Sequence, residues 1–456
     1  MRVLMVSANI AVNPYPLYPL GCSMVSSALA DAGHDVRQFD FLQQGSSLEA
    51  LGREITAFKP QLIGISIRNI DNVNSLNEQR YITGVRDIIA SIRQVSDSKV
   101  VLGGAGFSLI PDLILEETRA DYGIVGEGES LMVSFANNAA EGIFPGKRLL
   151  GPERRLSGTA IPSALYDGGI MRHYLQHGNM AQVQTKRGCT HGCVYCSYPL
   201  LEGRNIRSRA PVSVVDDIEM LREMHDIKYL FFVDSVFNDD EGAYREVLYE
   251  MKRRRVSVPW TAFFKPTGLD DGMVALMKET GLVAAEIGSD AACDTTLKGM
   301  GKSFAFADIV RANELFLRHG IGSAHFYMFG GPGETKETVL EGIENIKRLE
   351  GCVVFAYLGI RILPNTVLAA RAVKENIISP SDGLLDSLYY FSPHVTKDWM
   401  EETLTGAFKH MRNVIFPPDS SDDKLKVLHK MKYIGPLWDM LASSKKVRVR
   451  GSRIGA

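Results

Sequence analysis

Two periods alternate along this chain. Short runs of β-branched and aliphatic residues at 3–6, 36–39, 62–66, 100–102 and 122–125 read as strands, and the stretches between them space their apolar residues as helices do. The clearest helix covers 21–33, with Val25, Ala28, Leu29 and Ala32 along one stripe and Gly33 as its stop. Five such units predict a doubly wound parallel sheet of Rossmann-like or flavodoxin-like type over 1–145, because parallel strands need crossover connections. Ligands of such sheets lie beyond the carboxyl ends of the strands.

Residues 146–180 break the rhythm with Gly146, Gly151, Pro152, Gly158 and Pro162 among charged side chains, as a linker would. Alternation then resumes, with strand candidates at 181–185, 229–233, 260–264, 283–287, 324–328 and 353–358. Six units over 181–378 predict a partial (β/α)6 barrel of TIM-like type, whose chemistry belongs at the strand carboxyl ends. Beyond this, 379–456 reads as a mostly helical C-terminal region closing the barrel, and its basic stretch 443–450 as a solvated tail.

Composition narrows the function. With 45% hydrophobic and 23% charged residues in 456, the chain has material for large cores, so disorder and coiled coil are excluded. The formal charge of -2 gives no reason to expect nucleic acid as partner and points to a small molecule. No apolar run is long enough for a transmembrane segment, and the N-terminus lacks the pattern of a secretory leader, so a cytoplasmic location is expected.

Three of the six cysteines, Cys189, Cys193 and Cys196, fall within eight residues, directly after a predicted strand and the turn Lys186-Arg187-Gly188. Gly192 lets the loop turn back and aim three sulfurs at one point. Structural zinc takes four protein ligands, and Cys22, Cys293 and Cys352 are isolated. Three thiolates with a vacancy suit a cubane iron–sulfur cluster that holds another molecule on its fourth iron, with zinc as the alternative.

The CxxxCxxC spacing, with Tyr195 just before the last cysteine, resembles the signature of the radical S-adenosylmethionine (SAM) superfamily over roughly 181–365. The resemblance implies a [4Fe–4S] cluster on the three cysteines, SAM on its open iron, and an external electron donor such as flavodoxin or ferredoxin. It also implies further cofactor-binding residues. Asp234 and Ser235 end the second barrel strand, where the family approaches the SAM amino group. Glu286 and Ser289 match its Glu-x-Gly-x-Ser/Asp segment, and Gly331 lies in a GxPGET-like turn. Lys265 and Arg361 are candidates for the SAM carboxylate, although family members often carry Arg where Lys265 stands.

The first domain resembles the cobalamin-binding domain of the B12-dependent branch through Ser66 and Arg68 after the third strand, Gly103 and Gly104 after the fourth, and Gly126 and Glu127 after the fifth. The axial-histidine motif of other cobalamin domains is missing, since the first loop reads Ser7-Ala8-Asn9-Ile10-Ala11-Val12-Asn13-Pro14. Cobalamin bound without a protein nitrogen is therefore expected, and a relic domain is the alternative. Together the resemblances imply a cobalamin-dependent radical SAM enzyme acting on a small-molecule or lipid-like substrate. Its reaction would be methyl transfer to an unactivated carbon through a 5′-deoxyadenosyl radical. The alternative is radical cyclisation or rearrangement in lipid or natural-product biosynthesis. A tRNA methylthiotransferase would need more N-terminal cysteines than the lone Cys22.

Overall fold

The structure is a computed structural model that describes residues 1–442; the basic stretch 443–450 lies outside the described residues. The first sheet is wholly parallel, with β1 (Arg2–Ser7), β2 (Asp35–Asp40), β3 (Leu62–Ser66), β4 (Lys99–Gly103), β5 (Tyr122–Ile124) and β6 (Leu149–Leu150) in the order β2-β1-β3-β4-β5-β6. Strands β1 and β3 are buried almost throughout, as helix-covered parallel strands must be. The predicted helix runs Leu20–Asp31 and is followed by Gly33 at φ +83°, a conformation that a Cβ would disfavour.

One departure concerns the expected linker. Leu149–Leu150 pairs in parallel with β5 and completes the first sheet, and Gly168–Gln176 is a helix capped by the Asp167 carboxylate. Two residues are too few to show a period in the sequence, and the helix opens on Gly168-Gly169, which are weak helix formers. Tyr174 in that helix donates to both carboxylate oxygens of buried Asp40 at 3.1 and 3.2 Å, which ties the linker to the end of β2.

The second sheet is parallel in simple sequential order: β7 (Met180–Val183), β8 (Tyr229–Phe232), β9 (Trp260–Phe264), β10 (Leu282–Asp290), β11 (Gly322–Phe329), β12 (Cys352–Leu358) and β13 (Val414–Ile415). The ladder does not close from β13 to β7, so the barrel is open. The C-terminal region contributes the short seventh strand as well as helices. Strand β10 runs beyond the predicted 287, through a register irregularity, to Asp290 opposite Tyr327. The long partner β11 holds Gly288-Ser289-Asp290 in the sheet.

The two halves share a core. A single buried cluster runs from Leu4, Ile63 and Phe107 to Val354, Tyr390 and Leu404, so the halves are packed against each other by apolar surface. Among the described residues no helix is long and apolar enough to cross a membrane.

Candidate active site

The cysteine loop is built by backbone constraints on both sides. Strand β7 leads into a two-residue antiparallel ladder, Lys186–Arg187 with Arg207–Ser208, and then into Gly188 at φ +102°. A Cβ at Gly188 would stand 2.1 Å from the Asn205 carbonyl oxygen, so only glycine lets the chain pass there. Cys189 N–H donates to the Gly203 carbonyl at 3.0 Å, Cys196 N–H to the Cys193 carbonyl at 3.2 Å, and Val194 N–H to the Met300 carbonyl at 3.0 Å. Burial pushes the Cys196 thiol up to about 12, with Cys193 and Cys189 adding to the effect, and burial likewise raises Cys189. The three thiols act on one another electrostatically, so they stand in one neighbourhood. Three mutually interacting thiols fit a cubane, in which each ligates a different iron.

A polar cluster presses on this loop. Tyr195 donates to Asp290 Oδ1 at 2.8 Å, and Lys302, ion-paired with Asp290, donates to the Tyr195 hydroxyl at 3.2 Å and to Cys193 Sγ at 3.1 Å. Lys265 is buried at the same end of the barrel and ion-paired with Asp240. Ser235 donates to the Gly188 carbonyl at 2.9 Å and steadies the loop's entrance. Gly331 N–H donates to Glu334 Oε2 at 3.0 Å, and a Cβ there would stand 2.9 Å from Thr296 Cγ2, so this glycine serves close packing.

Several candidate SAM contacts already have partners within the chain. Asp234 is buried and accepts from Thr185 N–H at 2.7 Å, Lys186 N–H at 3.2 Å, the Thr185 hydroxyl, and Lys186 Nζ at 3.1 Å. Its capacity is spent on the exit of β7, so it is a structural hub. Ser289 points away from the lumen and bonds His325 Nδ1 at 2.8 Å, in a polar network with Asn313 and Ser323. Arg361 is paired with Asp71 of the first domain at 2.8 Å and donates to the Ile362 and Leu384 carbonyls, so each of its three nitrogens already has an acceptor. Glu286 lies lower in the lumen, where Tyr15 from the first domain donates to it at 3.1 Å; burial pushes its carboxyl up to about 7, against that hydrogen bond.

The carboxyl ends of β3, β4 and β5 open into a cavity of about 420 Å³ lined also by Gln182, Gln184, Phe231, Val233 and Phe263 of the barrel, and by Tyr198, two residues past Cys196. Ser66, Gly103 and Gly126 line it. A Cβ at Gly103 or Gly126 would meet nothing nearer than 3.7 Å, so these glycines present bare backbone to open space. Gly104, at φ +96°, is required for another reason, since its Cβ would stand 2.5 Å from the Ile67 carbonyl oxygen. Arg68 also lines the cavity and makes no hydrogen bond or ion pair among the described residues; burial lowers its pKa. An unpartnered cation beside bare glycine backbone is what a site for a large polar cofactor needs. Glu127 is committed to the domain interface, where it pairs with Arg207 at 2.6 Å and with Arg187 at 3.5 Å and accepts from Leu156 N–H.

Sequence reasoning missed Lys302, Asp290 and the Arg187–Glu129 pair at 2.5 Å. Arg187 had been taken only as part of a turn. Gly301 was the available signal for Lys302, because its Cβ would stand 2.7 Å from the Gly192 carbonyl oxygen and its turn is thereby held against the cysteine loop.

Comparison with known proteins agrees with this division. The B12 binding domain family matches residues 6–136, and the Radical SAM superfamily matches residues 183–346. Tryptophan 2-C-methyltransferase of Streptomyces laurentii is 24% identical over 440 residues, covering 79% of this chain and 73% of that protein. The anaerobic magnesium-protoporphyrin IX monomethyl ester cyclase of Rubrivivax gelatinosus is 24% identical over 371 residues, covering 75% of this chain and 64% of its own. The radical SAM methyltransferase TsrM from Kitasatospora setae, solved with cobalamin and a [4Fe-4S] cluster, has the same fold, with a TM-score of 0.84 over 97% of both chains at 24% identity. With a B12 binding domain and a radical SAM domain in one chain, the protein is a member of the radical SAM superfamily, in its B12-binding branch.

Proposed function

We propose that this enzyme transfers a methyl group from SAM, by way of cobalamin, to a carbon atom of a small molecule. The observation that carries the reading is a cavity shared by the two halves, which opens on Gly103, Gly126 and Arg68 at one wall and on the segment just past Cys196 at another. Two cofactor sites facing one space are useful when a single substrate meets both. When bound, the cluster with SAM supplies a hydrogen-abstracting radical and cobalamin supplies a methyl group.

The chain's own residues hold the parts. Cys189, Cys193 and Cys196 hold the cluster, and the glycine edges with Ser66 and Arg68 receive the cobalamin. Gln184 and Lys265 remain the polar groups of the barrel end nearest to SAM and substrate. The interface pairs Arg187–Glu129 and Arg207–Glu127 keep the two walls of the cavity in register and restrict water. An external one-electron donor of the flavodoxin or ferredoxin class completes the system.

The test is anaerobic turnover with methyl-deuterated SAM, once a substrate has been found by mass gain in extracts. A labelled product with 5′-deoxyadenosine and S-adenosylhomocysteine in about equal amounts is expected for an unactivated carbon. Label transfer with S-adenosylhomocysteine alone would mean that the accepting carbon is itself nucleophilic. A product without label would overturn methyl transfer and favour the cyclisation seen in the Rubrivivax relative's name.

A further inference from the structure

The ammonium of Lys302 stands against Cys193 in a geometry that a surface lysine does not have. Its side chain is 9% exposed, and its partner Asp290 is 12% exposed. Three donors are available to an ammonium, and here three acceptors face it: the Asp290 carboxylate, the Tyr195 hydroxyl at 3.2 Å and Cys193 Sγ at 3.1 Å. The head also lies 5.4 Å from the Tyr195 ring centre and 5.8 Å from that of Phe304, so aromatic faces cover its remaining side.

The backbone is shaped to deliver the group. Gly301 at φ +75° brings the turn against Gly192 in the cysteine loop, and Lys302 N–H donates to the Leu297 carbonyl at 3.0 Å. Asp290 itself sits at φ +61°, a left-handed conformation that costs a non-glycine residue energy and persists where surroundings enforce it. Strain at one partner and burial at both are more than a surface ion pair requires.

We infer that Lys302, held by Asp290 and Tyr195, is a tuning residue that donates to the Cys193 ligand and raises the reduction potential of the cluster. The inference rests on the cluster assignment proposed above. Hydrogen bonds to cluster sulfur and nearby positive charge favour the reduced, more negative form. Asp290 opposes part of that field, so the pair sets the potential between two extremes.

The two halves of the pair therefore act with opposite sign. In the anaerobically reconstituted enzyme, Lys302→Met should shift the reduction equilibrium at least tenfold toward the oxidised cluster, about 59 mV for one electron. Asp290→Asn should shift it toward the reduced form, and Lys302→Arg should restore most of the wild-type value. The readout is a redox titration followed by the EPR signal of the reduced cluster, with iron content measured in each variant. Full iron content with unchanged midpoints, or shifts of the same sign in Lys302→Met and Asp290→Asn, would overturn the inference. If Lys302→Met loses iron, the signs in Lys302→Arg and Asp290→Asn still decide it. Wild-type protein that binds no iron would instead overturn the cluster assignment itself.

Discussion

Arg361 is the residue whose sequence-based role and structural role differ most, and it offers the sharpest test. Its guanidinium and the Asp71 carboxylate are 4% and 2% exposed at the side chain, and they join the barrel half to the first domain at 2.8 Å. Asp71 also accepts from Ser387 Oγ at 3.0 Å and Val73 N–H at 2.9 Å. Removing one partner of such a pair strands a buried charge, which costs about 3–5 kcal/mol. Asp71→Ala is expected at the upper end, because Arg361 keeps only the two carbonyls of Ile362 and Leu384. Replacing both residues, as Asp71→Leu with Arg361→Met, leaves no buried charge unpaired and should cost well below the sum of the single changes. Urea unfolding followed by fluorescence and circular dichroism measures this, and coincident transitions justify treating it as one step. SAM titration of reconstituted Arg361→Met enzyme separates the roles: a lock between domains leaves affinity within about twofold, whereas a carboxylate partner contributing about 1.4 kcal/mol would lose tenfold. Additive single and double effects, or a tenfold loss of SAM affinity, would refute the structural reading.

Two further outcomes are expected. Burial raises the folded-state carboxyl of Glu286 to about 7, above its ordinary 4.5, so the folded protein holds this proton more tightly and loses stability relative to the unfolded chain as pH rises from about 4.5 to 7. Glu286→Gln cannot ionise, so the melting temperature of this variant minus that of wild type should grow between pH 5 and pH 8; a flat difference would contradict the burial argument. Among the described residues no histidine lines the cavity at the end of the first sheet, so the EPR spectrum of bound cob(II)alamin should lack nitrogen splitting from the protein; a clear splitting would contradict this reading of the cavity.

Element types and their order were legible in the chain itself. Runs such as 62–66 and 353–358 carry their burial on both faces in five and six consecutive residues, and the spacing of Cys189, Cys193 and Cys196 brings its ligands together within one loop. The glycine requirement at 104 was legible for a similar reason, since turn geometry is local. What the tertiary structure alone decided is which polar side chains are free. Asp234, Ser289, Glu127 and Arg361 all occupy family-like positions, yet each is already satisfied by a partner, and the partner of Arg361 stands 290 residues away. Lys302 meets Cys193 across 109 residues, and Tyr15 meets Glu286 across 271. Local sequence sets the conformation a segment prefers. The cost of burying a charge or a hydrogen-bonding group depends on what the folded chain places beside it, and that is set only when distant segments pack.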